Sequence, residues 1–112
     1  MSQKTEIPPL FKLPETVKRT ILEADPHCTL VKMVVKAGTI PPKHQHPHDQ
    51  IDYMLKGSAE VQLEDKIVKI HPGESLFIPG GTLHQFLVSE EDQTFLEFFT
   101  PGRADINQED QE

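Results

Sequence analysis

Hydrophobic and polar positions alternate along this chain in short runs, and no run holds a helical period for long. In residues 30–36, Val31, Met33 and Val35 fall on one face, with Lys32 and Lys36 on the other. Ala59, Val61 and Leu63 alternate with Glu60, Gln62 and Glu64, the pattern of an antiparallel strand with one face in a core and one in water. Glu64–Asp65 predicts a tight turn into a second strand over 67–70, which makes a hairpin. Further strands are predicted over 75–78, 83–88 and 94–100. Ten prolines and six glycines separate these runs. The pattern predicts an all-β fold, an antiparallel sandwich or barrel.

Three stretches differ in character. Residues 1–16 carry Pro8, Pro9 and Pro14, which restricts them to an N-terminal arm or an edge strand. Residues 17–103 form the predicted folded domain. Residues 104–112 are polar and acidic, and are expected to be a disordered tail. A length of 112 residues suits one domain whose core forms without help from a metal or a disulfide.

Charge and cysteine content narrow the function classes. Eleven Lys and Arg against 18 Asp and Glu give a net charge of −7, which disfavours nucleic acid or an anionic membrane surface as the main partner. The single cysteine, Cys28, excludes an internal disulfide framework and a Cys-rich zinc module; it reads as a small buried or half-buried apolar residue. No apolar run approaches the roughly 20 residues of a membrane helix, and the first ten residues hold no hydrophobic signal core. The expectation is a cytoplasmic protein.

The candidate chemistry lies in the histidines. His44, His46 and His48 fall within five residues, followed by Gln50. In an extended segment His44 and His46 share a face about 7 Å apart at their Cα atoms, so both imidazoles can converge on one ion. Gln50 has the same parity and can bring its amide oxygen to that side. His84 can join them only if two strands face each other across a core, and Pro79-Gly80-Gly81 supplies the turn just before it. Neutral imidazoles with an amide oxygen suit one divalent transition metal: Zn, Ni, Fe, Mn, Co or Cu. Gln50 either ligates the ion or only hydrogen-bonds within the site. His48 is either a fourth nitrogen ligand or a residue of the pocket rim. His27 and His71 read as surface histidines.

Two spacings carry a family resemblance. Gly38-x5-His44-x-His46-x3-Gln50-x6-Gly57 resembles the first motif of the cupin superfamily, with glutamine where glutamate is usual. Gly73-x5-Pro79-x-Gly81-x2-His84 resembles the second motif, with Val88 where asparagine is often found. The 15 residues between Gly57 and Gly73 resemble the short linker of small single-domain cupins. The resemblance implies an antiparallel β-barrel of jelly-roll type (a double-stranded β-helix) with a metal in its mouth, and a homodimer. With glutamine in place of glutamate, a site of three imidazoles keeps the full +2 of its ion, which strengthens its pull on an anionic substrate and weakens its hold on the metal.

The end of the last predicted strand adds candidates. Phe95, Glu97 and Phe99 share one face, and Pro101-Gly102 can turn Arg103 back over the pocket mouth. Together with His-x-His-Pro-His-x-Gln, this ending resembles the small cupins of pectin and alginate degradation, which convert unsaturated monouronates to linear keto forms. That resemblance implies a metal held by His44, His46, Gln50 and His84, and functional positions for Gln50, Phe99 and Arg103. Glu97 stands where that subgroup has aspartate. The expected function is a metal-dependent enzyme for a small carboxylate-bearing substrate. In it Glu97 is the acid/base, Arg103 the carboxylate anchor, and Tyr53, Met54, Phe99 and His48 are pocket residues. Two other classes remain: an Fe- or Cu-dependent dioxygenase, and a non-catalytic small-molecule or sugar-binding cupin. Imidazole ligands must be unprotonated, so metal loss is expected below about pH 6.

Overall fold

The computed structural model describes residues 13–107. Eight strands and one short helix follow in order: β1 (Val17–Asp25), β2 (Cys28–Val35), β3 (Asp49–Lys56), β4 (Ala59–Leu63), β5 (Lys66–Ile70), β6 (Ser75–Ile78), β7 (His84–Phe86), β8 (Gln93–Thr100) and α1 (Ala104–Asn107). All strand pairs are antiparallel. Five strands form one sheet in the order β1-β2-β8-β3-β6, and three form a second in the order β5-β4-β7.

The predicted alternation explains much of this. Val31, Met33 and Val35 of β2 and Ala59, Val61 and Leu63 of β4 are all buried, and with Phe95, Phe86, Ile78 and Met54 they make one core cluster. Phe86 and Phe95 stack with centroids 4.9 Å apart. The β4–β5 hairpin turns through Glu64, whose φ of 52° places it in the left-handed region. Met54 is 0 % exposed. A Met54→Ala variant is therefore expected to lose about 2–5 kcal/mol, read as a lower urea midpoint at unchanged slope.

Two strands escape the simple pattern. In β1 the pairing with β2 shifts between Ile21 and Glu23, so a bulge at Leu22 breaks the alternation. In β3 the polarity is inverted: Gln50 and Asp52 point inward and are buried, while Ile51, Tyr53 and Leu55 point outward and are exposed. An inward strand face built from polar residues marks this strand as part of a site.

The C-terminal expectation needs correction. Residues 104–107 are not a disordered tail but the short helix α1, with Ile106 buried. Thr29 Oγ1 donates to Asn107 Oδ1 at 2.7 Å, and Asn107 Nδ2 donates to the Asp25 carbonyl at 3.1 Å. These bonds fasten α1 beside the β1–β2 turn. Residues 108–112 lie outside the described residues, as do residues 1–12, which make up most of the expected arm. Among the described residues, no helix is long and apolar enough to cross a membrane.

Candidate metal centre

The three histidines meet because the backbone pins their strands together. His44 N–H donates to the His84 carbonyl and His84 N–H to the His44 carbonyl, each at 3.0 Å, an isolated antiparallel bridge between remote segments. Gly81 N–H donates to the His46 carbonyl at 2.8 Å. The preceding turn requires its glycines. Gly81 has φ +85°, and a Cβ on Gly80 would collide with the Pro47 carbonyl. Pro79-Gly80-Gly81 is thus pressed directly against the histidine loop.

His44, His46 and His84 each offer a ring nitrogen, and these atoms all lie within 4.8 Å of one another. His84 Nδ1 lies 2.9 Å from the Thr82 carbonyl, which can only accept, so Nδ1 carries the proton. Its buried Nε2 has no hydrogen-bond partner, leaving an unused lone pair. One ring nitrogen of His44 is likewise held by the backbone of Pro42. Gln50 Oε1 lies 2.9 Å from His46 Nε2, a separation that suits two ligand atoms sharing one ion as well as it suits a hydrogen bond. An unpartnered buried nitrogen, oriented imidazoles and an adjacent amide oxygen fit a divalent cation.

His48 sits 5.5 Å from His46 between ring centroids, but outside the three-histidine group. Positions 44, 46, 48 and 50 are the less exposed ones and 45, 47 and 49 the exposed ones, so His48 keeps the inward parity through the bend at Pro47 and lines the cavity beside the three imidazoles.

The acidic neighbours lie behind Gln50. Its Nε2 donates to Asp52 Oδ1 and Oδ2 at 3.0 and 3.1 Å, and to Glu97 Oε2 at 3.3 Å. Asp52 and Glu97 are direct cross-strand partners. Burial pushes both carboxyls up, Glu97 to about 7, and for Asp52 the Glu97 charge adds to the effect. Asp52 escaped the sequence reading; its place two residues after Gln50 on the same strand face was the available signal.

Beyond the histidines a cavity of about 610 Å³ opens between β1, β2, β8 and the 39–48 loop. Glu97, Phe99 and Arg103 line it, as expected. Arg103 sits with its Cζ 4.8 Å from the Phe99 ring centre, and its Nε and Nη2 donate to Asp105 at 3.1 and 2.8 Å. Asp105 is a second residue that sequence reasoning missed, because it lay in the supposed tail. Two expected pocket walls are corrected. Tyr53 points outward from β3, and Met54 is sealed in the core; neither lines the cavity. His27 and His71 are exposed and bonded to Asp25 and Glu74, and Cys28 is half-buried.

Burial, with help from neighbouring positive groups, lowers His44 and His46 to about 4. The expected pH of metal release moves accordingly. In the folded protein these rings stay unprotonated from their ordinary value near 6.5 down to about 4, so protons do not compete for the site at pH 6. In the unfolded chain they do take up protons, so their contribution to stability is full above pH 6.5 and is lost as pH falls toward 4. We expect metal to remain bound at pH 5.5 and to be released between about pH 5 and 4, read by metal in the filtrate across a pH series.

Comparisons agree with this geometry. The Cupin domain family matches residues 31–99. The pectin degradation protein KdgF of Dickeya dadantii is 30 % identical over 99 residues, which is 88 % of this chain and 90 % of that protein. Among solved structures, KdgF from Halomonas sp. superposes with a TM-score of 0.78 at 30 % identity, covering 86 % of this chain and 88 % of its own. A Bacillus subtilis oxalate decarboxylase superposes with a TM-score of 0.72 at 25 % identity over 81 % of this chain and 27 % of that one. Two remote segments thus bring three imidazoles to one point inside paired antiparallel sheets, and the same stretch of sequence carries the family's match: the chain belongs to the cupin family.

Proposed function

We propose that this cupin is a metal-dependent cytoplasmic enzyme that linearises an unsaturated sugar acid. One observation carries the reading. A half-buried carboxyl pushed up to about 7, Glu97, stands beside the metal-facing amide of Gln50 and opens onto a cavity that also holds Arg103. His44, His46, His84 and the Gln50 oxygen would hold one divalent cation. When bound, the ion supplies Lewis-acid polarisation of a substrate hydroxyl or carbonyl oxygen.

The chain's own residues would do the rest. A carboxyl with a pKa near 7 is half-ionised at neutral pH, so Glu97 can accept a proton in one step and return it in the next. Ring opening followed by enol-to-keto transfer needs both, and leaves no net change in atoms or electrons. Arg103 commits Nε and Nη2 to Asp105, which fixes the plane of its guanidinium and leaves Nη1 for the substrate carboxylate. The Phe99 ring beneath it keeps that plane over the cavity. The outward Ile51, Tyr53 and Phe77 give the five-stranded sheet an apolar outer face, which supports a homodimer.

The KdgF likeness supports this substrate class, since that relative's name places it in pectin degradation. The test follows the absorbance of an unsaturated monouronate incubated with metal-loaded protein. The expected result is its loss at a rate proportional to enzyme; no loss with any of the six candidate metals would overturn the reading. A second reading, iron- or copper-dependent dioxygenation, is favoured by the apolar cavity walls of Val17, Met33, Val35 and Phe95, which suit a substrate with an apolar substituent. Oxygen consumption with a chelating diketone, abolished on replacing the native metal by zinc, would favour it instead.

A further inference from the structure

Asp52 has no part in the reaction proposed above, yet it is 0 % exposed, and a buried carboxyl is costly unless its oxygens are occupied. Both of its oxygens lie within 3.1 Å of a single atom, Gln50 Nε2. A side-chain amide has two ends of nearly equal size and opposite character. Only the oxygen end has a lone pair to offer a cation. Asp52 and Glu97 hydrogen-bond to each other through their side chains, which engages the proton that the pair retains. Turned the other way, Gln50 would therefore place its oxygen against carboxyl oxygens with no proton to give, and its N–H groups toward His46. We propose that Asp52 is a positioning residue that fixes the sense of the Gln50 amide, so that its oxygen and not its nitrogen faces the three imidazoles. The proposal rests on the reading that Gln50 faces the cation.

The geometry also accounts for glutamine at position 50. The slot between His46 and the two carboxyls calls for an acceptor at one end and a donor at the other. Glutamate offers acceptors at both ends and would face Asp52 with a like group. Exchanging the pair, with the carboxylate at 50 and the amide at 52, restores the match.

The experiment measures zinc affinity at pH 7.5 by competition with a chromophoric chelator. Asp52→Leu, which fills the space without an acceptor, is expected to weaken zinc binding by roughly 10–100-fold, the usual cost of removing a group that orients a ligand. Asp52→Asn keeps a side-chain oxygen facing Gln50 and is expected to stay within about threefold of the unsubstituted protein. Gln50→Glu is expected to tighten binding by at least about tenfold more in the Asp52→Asn background than alone. Unchanged affinity in Asp52→Leu, or an equal gain from Gln50→Glu in both backgrounds, would overturn the proposal. Where Asp52→Leu fails to fold, the double-mutant comparison decides. Uronate turnover lies outside this test: its absence, with zinc affinities in the expected order, would remove the isomerase reading and leave the role of Asp52 standing.

Discussion

A His44→Ala/His46→Ala double variant is expected to lose metal binding almost completely and still fold. Structural sites of four ligands are worth about 10–16 kcal/mol, or roughly 3 kcal/mol per ligand, so removing two should weaken affinity by about 10⁴-fold. Folding should survive because neither ring belongs to the core. The buried cluster of Val31, Met54, Val61, Ile78 and Phe95 forms on the inner faces of β2, β3, β4, β6 and β8 without them. The backbone bridge between His44 and His84 uses main-chain atoms that alanine retains. Elemental analysis should find less than a tenth of an equivalent of metal, alongside an unchanged β-type circular dichroism spectrum. Stoichiometric metal in this variant would place the ion elsewhere. An unfolded variant would mean that the metal builds the fold.

The second large effect is expected at Glu97. Replacement by glutamine keeps the shape of the side chain and its place across from Asp52 but removes the titrating group. Proton transfer by a positioned side chain contributes about 10²–10⁴-fold, so kcat on an unsaturated monouronate should fall by that factor while bound metal stays at one equivalent. The acid limb of the pH–rate profile should also lose the ionisation near 7 that burial gives this carboxyl. If Glu97→Gln turns over at the rate of the unsubstituted enzyme, Glu97 is not the acid/base. If it binds sugar acids while neither form turns them over, the protein is a binding module.

Much of the fold could be read from the chain because its core strands obey a period of two. The alternations around Val31 and Val61 predict the inward faces of β2 and β4, and the resemblance of the glycine and histidine spacings to the two cupin motifs implies how remote segments meet. The pattern misled where a strand faces the site. In β3 the apolar residues Ile51, Tyr53 and Leu55 point outward because Gln50 and Asp52 claim the interior. Tyr53, expected as a pocket wall, is therefore on the outer face. Asp52 was hidden for the same reason: a lone acid among apolar residues reads as a solvated position until its cross-strand partner Glu97 is placed. Asp105 was hidden by composition. The polar stretch after Arg103 reads as disordered, and only the docking of Ile106 and Asn107 onto the β1–β2 turn brings the helix back to the cavity.

The histidines show the same division. The cupin resemblance implies their convergence, whereas neither it nor the spacing gives their electrostatics. An imidazole in water titrates near 6.5, and only enclosure beside one another and near Arg103 brings His44 and His46 to about 4. The metal retention expected in mild acid therefore depends on the folded cavity.

Elemental analysis of protein purified without added metal, before and after His84→Ala, measures directly what the site holds. Three imidazoles closing on one cation predict one equivalent of a single divalent transition metal per chain, lost in the variant along with the Nε2 lone pair that has no hydrogen-bond partner. Less than a tenth of an equivalent in the unsubstituted protein, even after incubation with each candidate metal, or the same content with and without His84, would contradict it.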